Sequence, residues 1–299
     1  MTEVLKNCRI CPRNCGVDRN EGNVGFCRTK GGILVSRASL HHWEEPCISG
    51  TKGSGTVFFS GCNLACVFCQ NYKISRGNTG KEISPERLSE IFFELKEKGA
   101  HNINLVTPTH FLPFVIKAVK RAKDMNINIP FVYNCGGYEK VESIKSLEGL
   151  IDIYMPDFKY MSCELSKKYS NAPDYADIAK SALSEMVRQI PECEFDNEGI
   201  MKKGVIVRHM MLPGCISDSK KIIKYLTKTY KNQIFVSIMN QFTPTENLVN
   251  YPEINRKVTI REYEKLLDFA LSQGLENAFI QEGETAKESF IPDFDMRGV

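Results

Sequence analysis

No run of apolar residues in this chain approaches the roughly twenty that a bilayer span requires, although 42% of its 299 residues are apolar. Charge of one sign is equally scarce. Lys and Arg number 39 and Asp and Glu 36, for a formal net charge of +3. That excludes an electrostatic case for binding nucleic acid or a membrane surface. The N-terminus, Met1-Thr2-Glu3-Val4-Leu5-Lys6-Asn7-Cys8, lacks the apolar stretch of a secretory signal. A cytoplasmic protein is expected. Tryptophan is reduced to one residue, Trp43, and there is no internal repeat or low-complexity tract.

Cysteine is abundant instead. Twelve are present, far more than a reducing compartment tolerates without metal binding or catalysis as the reason. Four fall in one N-terminal group, Cys8, Cys11, Cys15 and Cys27, and three in a second, Cys62, Cys66 and Cys69. Cys47, Cys135, Cys163, Cys193 and Cys215 are scattered and read as small buried hydrophobes.

Residues 1 to 50 are loop-rich and punctuated by Gly16, Gly22, Gly25, Gly31 and Gly32. They bury little apolar surface, so a metal is needed to hold them in shape. One short strand, Ile33–Ala38, is expected within them. From Thr56 onward short apolar runs alternate with amphipathic stretches. The runs predict strands at Thr56–Ser60, Asn102–Thr107, Pro130–Asn134, Ile151–Asp157, Gly204–Met211, Gln233–Met239 and Ala278–Gln281. Helices are predicted at Ser84–Lys98, Pro113–Asn126, Glu139–Leu147, Tyr175–Gln189, Ser217–Tyr230 and Ile260–Gln273. The first has Ser84 as N-cap, Pro85 at the first helical position and Gly99 beyond its end. Repeated strand–helix units make a parallel sheet with helices outside. The expected fold is α/β: a partial or complete parallel β/α barrel over residues 51–299, with a C-terminal extension and a Cys-rich metal-binding segment at 1–50. Chemistry in such folds sits at the C-terminal ends of strands.

The second cysteine group occupies one loop after the first barrel strand: Gly61-Cys62-Asn63-Leu64-Ala65-Cys66-Val67-Phe68-Cys69-Gln70-Asn71. Three thiolates spaced Cys-x3-Cys-x2-Cys hold three irons of a four-iron cube, and soft thiolate suits that chemistry. The missing fourth ligand leaves one iron open, as catalytic metal sites are left open. A zinc site completed by His41, His42 or Cys47 is the bland alternative.

This motif, with Phe68 before its last cysteine, resembles the signature of the radical S-adenosylmethionine (SAM) superfamily. The resemblance implies a 4Fe–4S cluster whose open iron takes the SAM amino and carboxylate groups. It also implies reductive cleavage to methionine and a 5′-deoxyadenosyl radical that abstracts hydrogen. An external low-potential donor of the flavodoxin or ferredoxin kind is implied too.

Three further segments resemble the pyruvate formate-lyase group of glycyl-radical activating enzymes: Asn134-Cys135-Gly136-Gly137-Tyr138, Met155-Pro156-Asp157-Phe158-Lys159, and the strand Val207-Arg208-His209-Met210-Met211-Leu212-Pro213-Gly214. The likeness implies Lys159 at the SAM carboxylate and Arg208 near its ribose or carboxylate. Asp157 and the Met155 carbonyl would help bind a cation. This chain departs from the group at the Gly-Gly-Glu that holds the SAM amino group, where it has Val106-Thr107-Pro108-Thr109-His110. Thr107, Thr109 or His110 is left for that task, with His110 equally readable as a core or surface histidine. Asn134 stands where the group's turn has aspartate. Phrases such as Cys11-Pro12-Arg13-Asn14-Cys15 and His42-Trp43-Glu44-Glu45-Pro46-Cys47 extend the resemblance over nearly the full chain, to a branch of activase-like iron–sulfur proteins.

The N-terminal spacing, Cys8-x2-Cys11-x3-Cys15-x11-Cys27, closes either a zinc tetrahedron or a second four-iron cluster. His41, His42, Trp43, Glu44 and Glu45 either line the active-site mouth or pack the N-terminal segment onto the barrel. The leading expectation for function is hydrogen abstraction from a protein or peptide. A radical SAM enzyme acting on a small molecule or nucleotide, and a zinc-stabilised scaffold without catalysis, are the alternatives.

Overall fold

The computed structural model describes residues 3–77, 79–281 and 291–299. Ten strands are seen among them: β1 (Ile33–His41), β2 (Ser54–Phe59), β3 (Lys81–Ile83), β4 (Ile103–Val106), β5 (Phe131–Cys135), β6 (Ile153–Pro156), β7 (Glu194–Phe195), β8 (Met201–Met210), β9 (Phe235–Met239) and β10 (Ala278–Ile280). The helices are α1 (Glu3–Lys6), α2 (Pro46–Ser49), α3 (Tyr72–Ser75), α4 (Pro85–Glu97), α5 (Leu112–Asp124), α6 (Val141–Lys145), α7 (Cys163–Ser170), α8 (Tyr175–Gln189), α9 (Ile216–Tyr230) and α10 (Ile260–Ser272).

The sheet runs β10-β9-β8-β6-β5-β4-β2-β1-β3, with β7 paired to β8. From β2 to β10 every neighbouring pair is parallel. β1 turns back antiparallel on β2, and β3 antiparallel on β1. The sheet therefore stays open: a partial barrel whose two edges do not meet. Strands β2, β4, β5 and β6 are buried along their whole length, because helices cover one face and the barrel interior the other.

Most strand and helix expectations agree with the structure to within a few residues. Ser84 caps α4 by accepting the Arg87 backbone N–H at 3.1 Å. β3, β7 and α7 were not expected. α7 reads Cys-Glu-Leu-Ser-Lys-Lys-Tyr-Ser, with too few apolar positions to draw a stripe. The strand expected at 33–38 extends to His41 and joins the same sheet as the barrel strands. Residues 291–299 lie along β1, with Ala38 N–H donating to the Arg297 carbonyl and Met296 N–H to that of Ser36. Among the described residues no helix is long and apolar enough to cross a membrane.

Candidate active site

Because the strands are parallel, their C-terminal ends deliver side chains to one rim. A cavity of about 230 Å3 opens there. The loop after β2 brings Cys62, Cys66, Phe68 and Cys69 to it. β4 ends in Thr107, β5 in Asn134, β6 in Asp157 and Lys159, and β8 supplies Arg208. Of the residues singled out from sequence for cofactor binding, these are the ones brought together. Thr109 and His110 are placed elsewhere, in a buried 3₁₀ turn behind the rim. Thr109 donates to Glu139 at 2.7 Å, and His110 Nε2 bonds the Ser60 carbonyl at 2.7 Å. Burial holds the His110 pKa down to about 3, against a smaller upward pull from the Ser60 carbonyl. It is a neutral core histidine.

The cysteine loop is shaped by its contacts. Gly61 has φ +85°, a conformation that favours glycine. A Cβ there would fall 2.7 Å from the Cys27 carbonyl and collide with the Thr29 methyl. Phe68 is buried against Tyr160 and Phe242, which fixes the last turn of the loop. Each thiol has a donor aimed at it. Leu64 N–H meets Cys62 at 3.3 Å, Ser170 Oγ–H meets Cys66 at 3.0 Å, and Ser75 Oγ–H meets Cys69 at 3.4 Å. Burial, and then the neighbouring thiols, push the Cys62 and Cys69 pKa values well up. Burial thus favours the protonated thiols, and to serve as thiolates the three would need a cationic centre beside them. Among the described residues no three His, Cys, Asp or Glu side chains converge on a single point as ligands of one ion do. A four-iron cube asks for something else: each thiolate holds its own iron, so the sulfurs surround a volume. Three thiols on the wall of one cavity fit that requirement.

Beside them lies a buried ionic network. Asp157 accepts Lys159 Nζ at 2.6 Å on one oxygen and Arg208 Nε at 3.0 Å on the other. Arg208 also donates to Asn134 Oδ1 at 2.6 Å and to Glu44 at 3.2 Å. Asn104 donates to the other Glu44 oxygen at 2.9 Å. Burial alone would raise the Asp157 pKa; the charges of Lys159 and Arg208 outweigh it and hold it below the usual value. For Glu44 burial wins over Arg208, and its pKa is raised. Side chains thus occupy the place of the cation implied for Asp157: both carboxylate oxygens and the Asn134 side-chain oxygen face Lys159 or Arg208.

Thr107 carries a further signal. It is a β-branched residue at φ +58°, a conformation costing about 1–3 kcal/mol and found where function holds it. Its N–H donates to the Asn134 carbonyl at 2.8 Å, which ties two rim turns together.

Glu139, behind the rim, accepts from Thr109 and, at 3.4 Å, from Tyr133. Burial lifts its pKa from 4.5 to about 8, while hydrogen bonds from Thr109, Tyr133 and Cys135 pull downward. The folded chain therefore keeps a proton that the unfolded chain releases near pH 4.5, and stability falls as pH rises from there through about 8. Glu139→Gln should flatten the decline of Tm across this window. An unchanged slope in the variant would assign the titration to another group.

Sequence reasoning left the group at 41–45 with two roles, and it has both. His41, Trp43 and Glu44 line the cavity, and the segment packs on the sheet through Glu44 and Asn104. It missed the pairing of Glu44 with Arg208 and the serine donors at 75 and 170, for which the sequence carries no local signal. The N-terminal cysteines sit behind the loop, where the Cys27 carbonyl faces Gly61.

A family model described as the radical SAM superfamily matches residues 56–288. An uncharacterised protein of Methanocaldococcus jannaschii is 33% identical over 284 residues, covering 91% of this chain and 77% of that relative. The crystal structure of Streptococcus suis SuiB bound to S-adenosylmethionine matches at a TM-score of 0.51 and 14% identity, over 74% of this chain and 48% of that one. HydG, a maturase of the FeFe-hydrogenase, matches at 0.50 and 14%, over 73% and 48%. The chain spans about half the length of these two structures, and their likeness is one of fold.

Proposed function

The chain belongs to the radical SAM superfamily, and from that premise we propose that it abstracts a hydrogen atom from a protein or peptide, in the manner of a glycyl-radical activating enzyme. The observation that carries the reading is the single cavity shared by Cys62, Cys66, Cys69, Asp157, Lys159 and Arg208. A cluster on the three thiolates and a bound SAM supply one-electron cleavage of the sulfonium and a hydrogen-abstracting 5′-deoxyadenosyl radical. This chain's residues hold and orient. Lys159 offers its ammonium to the SAM carboxylate, and Arg208 a second cationic face near carboxylate or ribose. Glu44 supplies a carboxylate for the amino group, at a rim where the turn after β4 carries Thr107 in place of an acid. Phe68 keeps the cluster loop against the core and Asn134 keeps Arg208 aimed.

The room in the cavity supports that substrate class. A cavity of about 230 Å3 lies below the roughly 300–1,000 Å3 of pockets that engulf drug-sized ligands, and cluster and SAM claim it first. A further substrate presents its reacting carbon at the mouth, as a polypeptide segment does. Trp43, 61% exposed on that rim, offers such a segment an apolar contact. A low-potential one-electron donor completes the requirement.

The test uses anaerobically reconstituted protein with SAM and dithionite, and extract of deuterated cells split by size. Deoxyadenosine should form, and deuterium should enter it from the macromolecular fraction. Label from the small-molecule fraction alone would move the substrate to a metabolite or nucleotide; no deoxyadenosine at all would overturn the reaction.

A further inference from the structure

We propose that the four N-terminal thiols hold an iron–sulfur cluster that is the entry port for the electron used at the 62–69 site, and that an acidic one-electron carrier protein docks on the basic surface around it. This rests on the function proposed above and adds a second centre, its metal and the chemistry of its partner.

The first observation is that all four thiols are dressed as ligands. Phe26 N–H donates to Cys15 at 3.3 Å, Thr29 Oγ1 lies 3.1 Å from Cys27, and an Arg19 nitrogen lies 3.8 Å from Cys8. The Arg13 backbone N–H faces Cys11. Donors to sulfur are what a thiolate-held centre requires, and they set its potential.

The second is independent. Arg19 is 1% exposed, yet its hydrogen bonds go to the carbonyls of Lys30 and His110, the Thr29 hydroxyl and the Cys8 sulfur. Among the described residues none of its partners is a carboxylate. A buried guanidinium without a counter-charge is costly. An anionic, thiolate-ligated centre touching Cys8 supplies that charge.

The third is placement. The Cys15 side is exposed while Cys27 is buried, and the Cys27 carbonyl abuts Gly61, the residue before Cys62. Arg13, between Cys11 and Cys15, adds a second bridge. Its Nε donates to the Asn63 carbonyl at 2.8 Å and Nη2 to that of Ser170 at 3.2 Å, and Ser170 Oγ donates to Cys66. The segment thus has a solvent face, an inner face and two contacts to the catalytic loop. A structural zinc explains the shape of the segment but not its seat against that loop.

The fourth is charge. Residues 1–30 hold six Lys or Arg against three Asp or Glu; Arg19 among the six is buried, and Lys6 is paired with Glu3 at 2.6 Å. Lys6, Arg9, Arg28 and Lys30 are exposed. Such a patch steers an acidic partner to this end of the molecule. One electron leaves the reduced carrier, which is oxidised by one, and the 62–69 centre is reduced by one. No bond or proton is exchanged on the way.

The experiment compares wild type, Cys8/Cys11→Ala and Lys6/Lys30→Glu, using reduced flavodoxin or dithionite as donor. Metal content, the spin count of the reduced protein and the rate of cluster bleaching are read. Wild type should carry about eight irons and no zinc, as two cysteine-ligated four-iron sites do. Cys8/Cys11→Ala should keep about four and half the spins; dithionite should still reduce it, but flavodoxin at least about tenfold more slowly. Lys6/Lys30→Glu should keep all iron and be slowed about tenfold with flavodoxin at low salt, the difference fading as salt screens the patch. Zinc in the wild-type N-terminal site, or an undiminished flavodoxin rate in both variants, would overturn the proposal. Absence of deoxyadenosine from wild type with dithionite would sink the underlying function instead, and is read separately from the N-terminal metal.

Discussion

Changing Cys62, Cys66 and Cys69 together to alanine is expected to remove about four irons per chain and to abolish deoxyadenosine formation while leaving the fold in place. In the proposed cluster each thiolate would hold a different iron, so the loss would be total: without the three, no open iron would be left to take SAM. The fold should survive because the loop has other anchors. Val67 N–H bonds the Tyr169 carbonyl at 2.9 Å, Gly61 N–H that of Ile74 at 2.9 Å, and Asn63 Nδ2 that of Tyr138 at 2.6 Å. Phe68 stays in the core. In the metal-free chain burial, and then the neighbouring thiols, keep Cys62 and Cys69 protonated, so their replacement by alanine removes no charge. The variant should therefore melt within a few degrees of metal-free wild type. Iron analysis and the visible absorption of both proteins check the first claim, and thermal melts the second. A scaffold without catalysis predicts a different result, a colourless wild type with nothing to lose. Iron retained in the triple variant at wild-type level would place the cluster on other cysteines.

What could be read beforehand was whatever repeats or lies close in the chain. Strands β2, β4, β5 and β6 announce themselves as apolar runs because both faces are covered, and their ends could be lined up because parallel strands end together. Cys62, Cys66 and Cys69 sit within eight residues of each other, so spacing alone groups them. Asp157 and Lys159 were legible only through the resemblance of Met155-Pro156-Asp157-Phe158-Lys159 to a strand end of the activating enzymes. Glu44 was not: its partner Arg208 is 164 residues away, and neither residue's neighbours encode the distance. Ser170 donates to Cys66 across 104 residues from a helix, α7, that is too polar to show a periodic stripe. Thr109 and His110 went the other way. Adjacency to Thr107 placed them with the rim, but the chain turns inward after Pro108 and buries both. The seat of residues 291–299 along β1 was hidden too, because Ala38 meets Arg297 and Met296 meets Ser36 through backbone hydrogen bonds, which leave little trace in side-chain pattern.

Arg208 is where removal of one buried group should cost most in stability. Its guanidinium spans Asp157, Asn134 and Glu44, and the side chains of the two acids are only 17% and 9% exposed. Arg208→Met fills similar space without the charge. It leaves Asp157 with Lys159 alone and Glu44 with only the amide donors of Asn104 and, at 3.5 Å, Asn134. Breaking one side of a buried ion pair costs about 3–5 kcal/mol, which for a chain of this size is a fall in Tm on the order of 10 °C. The loss should depend on pH with a definite sign. Without Arg208 the burial that already raises Glu44 is opposed chiefly by the Asn104 hydrogen bond, so its folded pKa climbs further above the unfolded value. A carboxyl with a raised folded pKa contributes stability when protonated and loses it as pH rises through that pKa. The variant should therefore lie nearest to wild type at low pH and fall furthest behind above neutrality. Adding Glu44→Gln to Arg208→Met should restore part of the deficit, because a neutral amide needs no counter-charge. Arg208→Lys separates charge from shape: one ammonium cannot reach all three partners at once. It should recover some stability while SAM affinity, read by titration calorimetry on the cluster-loaded protein, stays reduced. Equal melting of wild type and Arg208→Met at pH 8 would show that this network carries no net stability, and that Arg208 is held at the rim for the ligand alone.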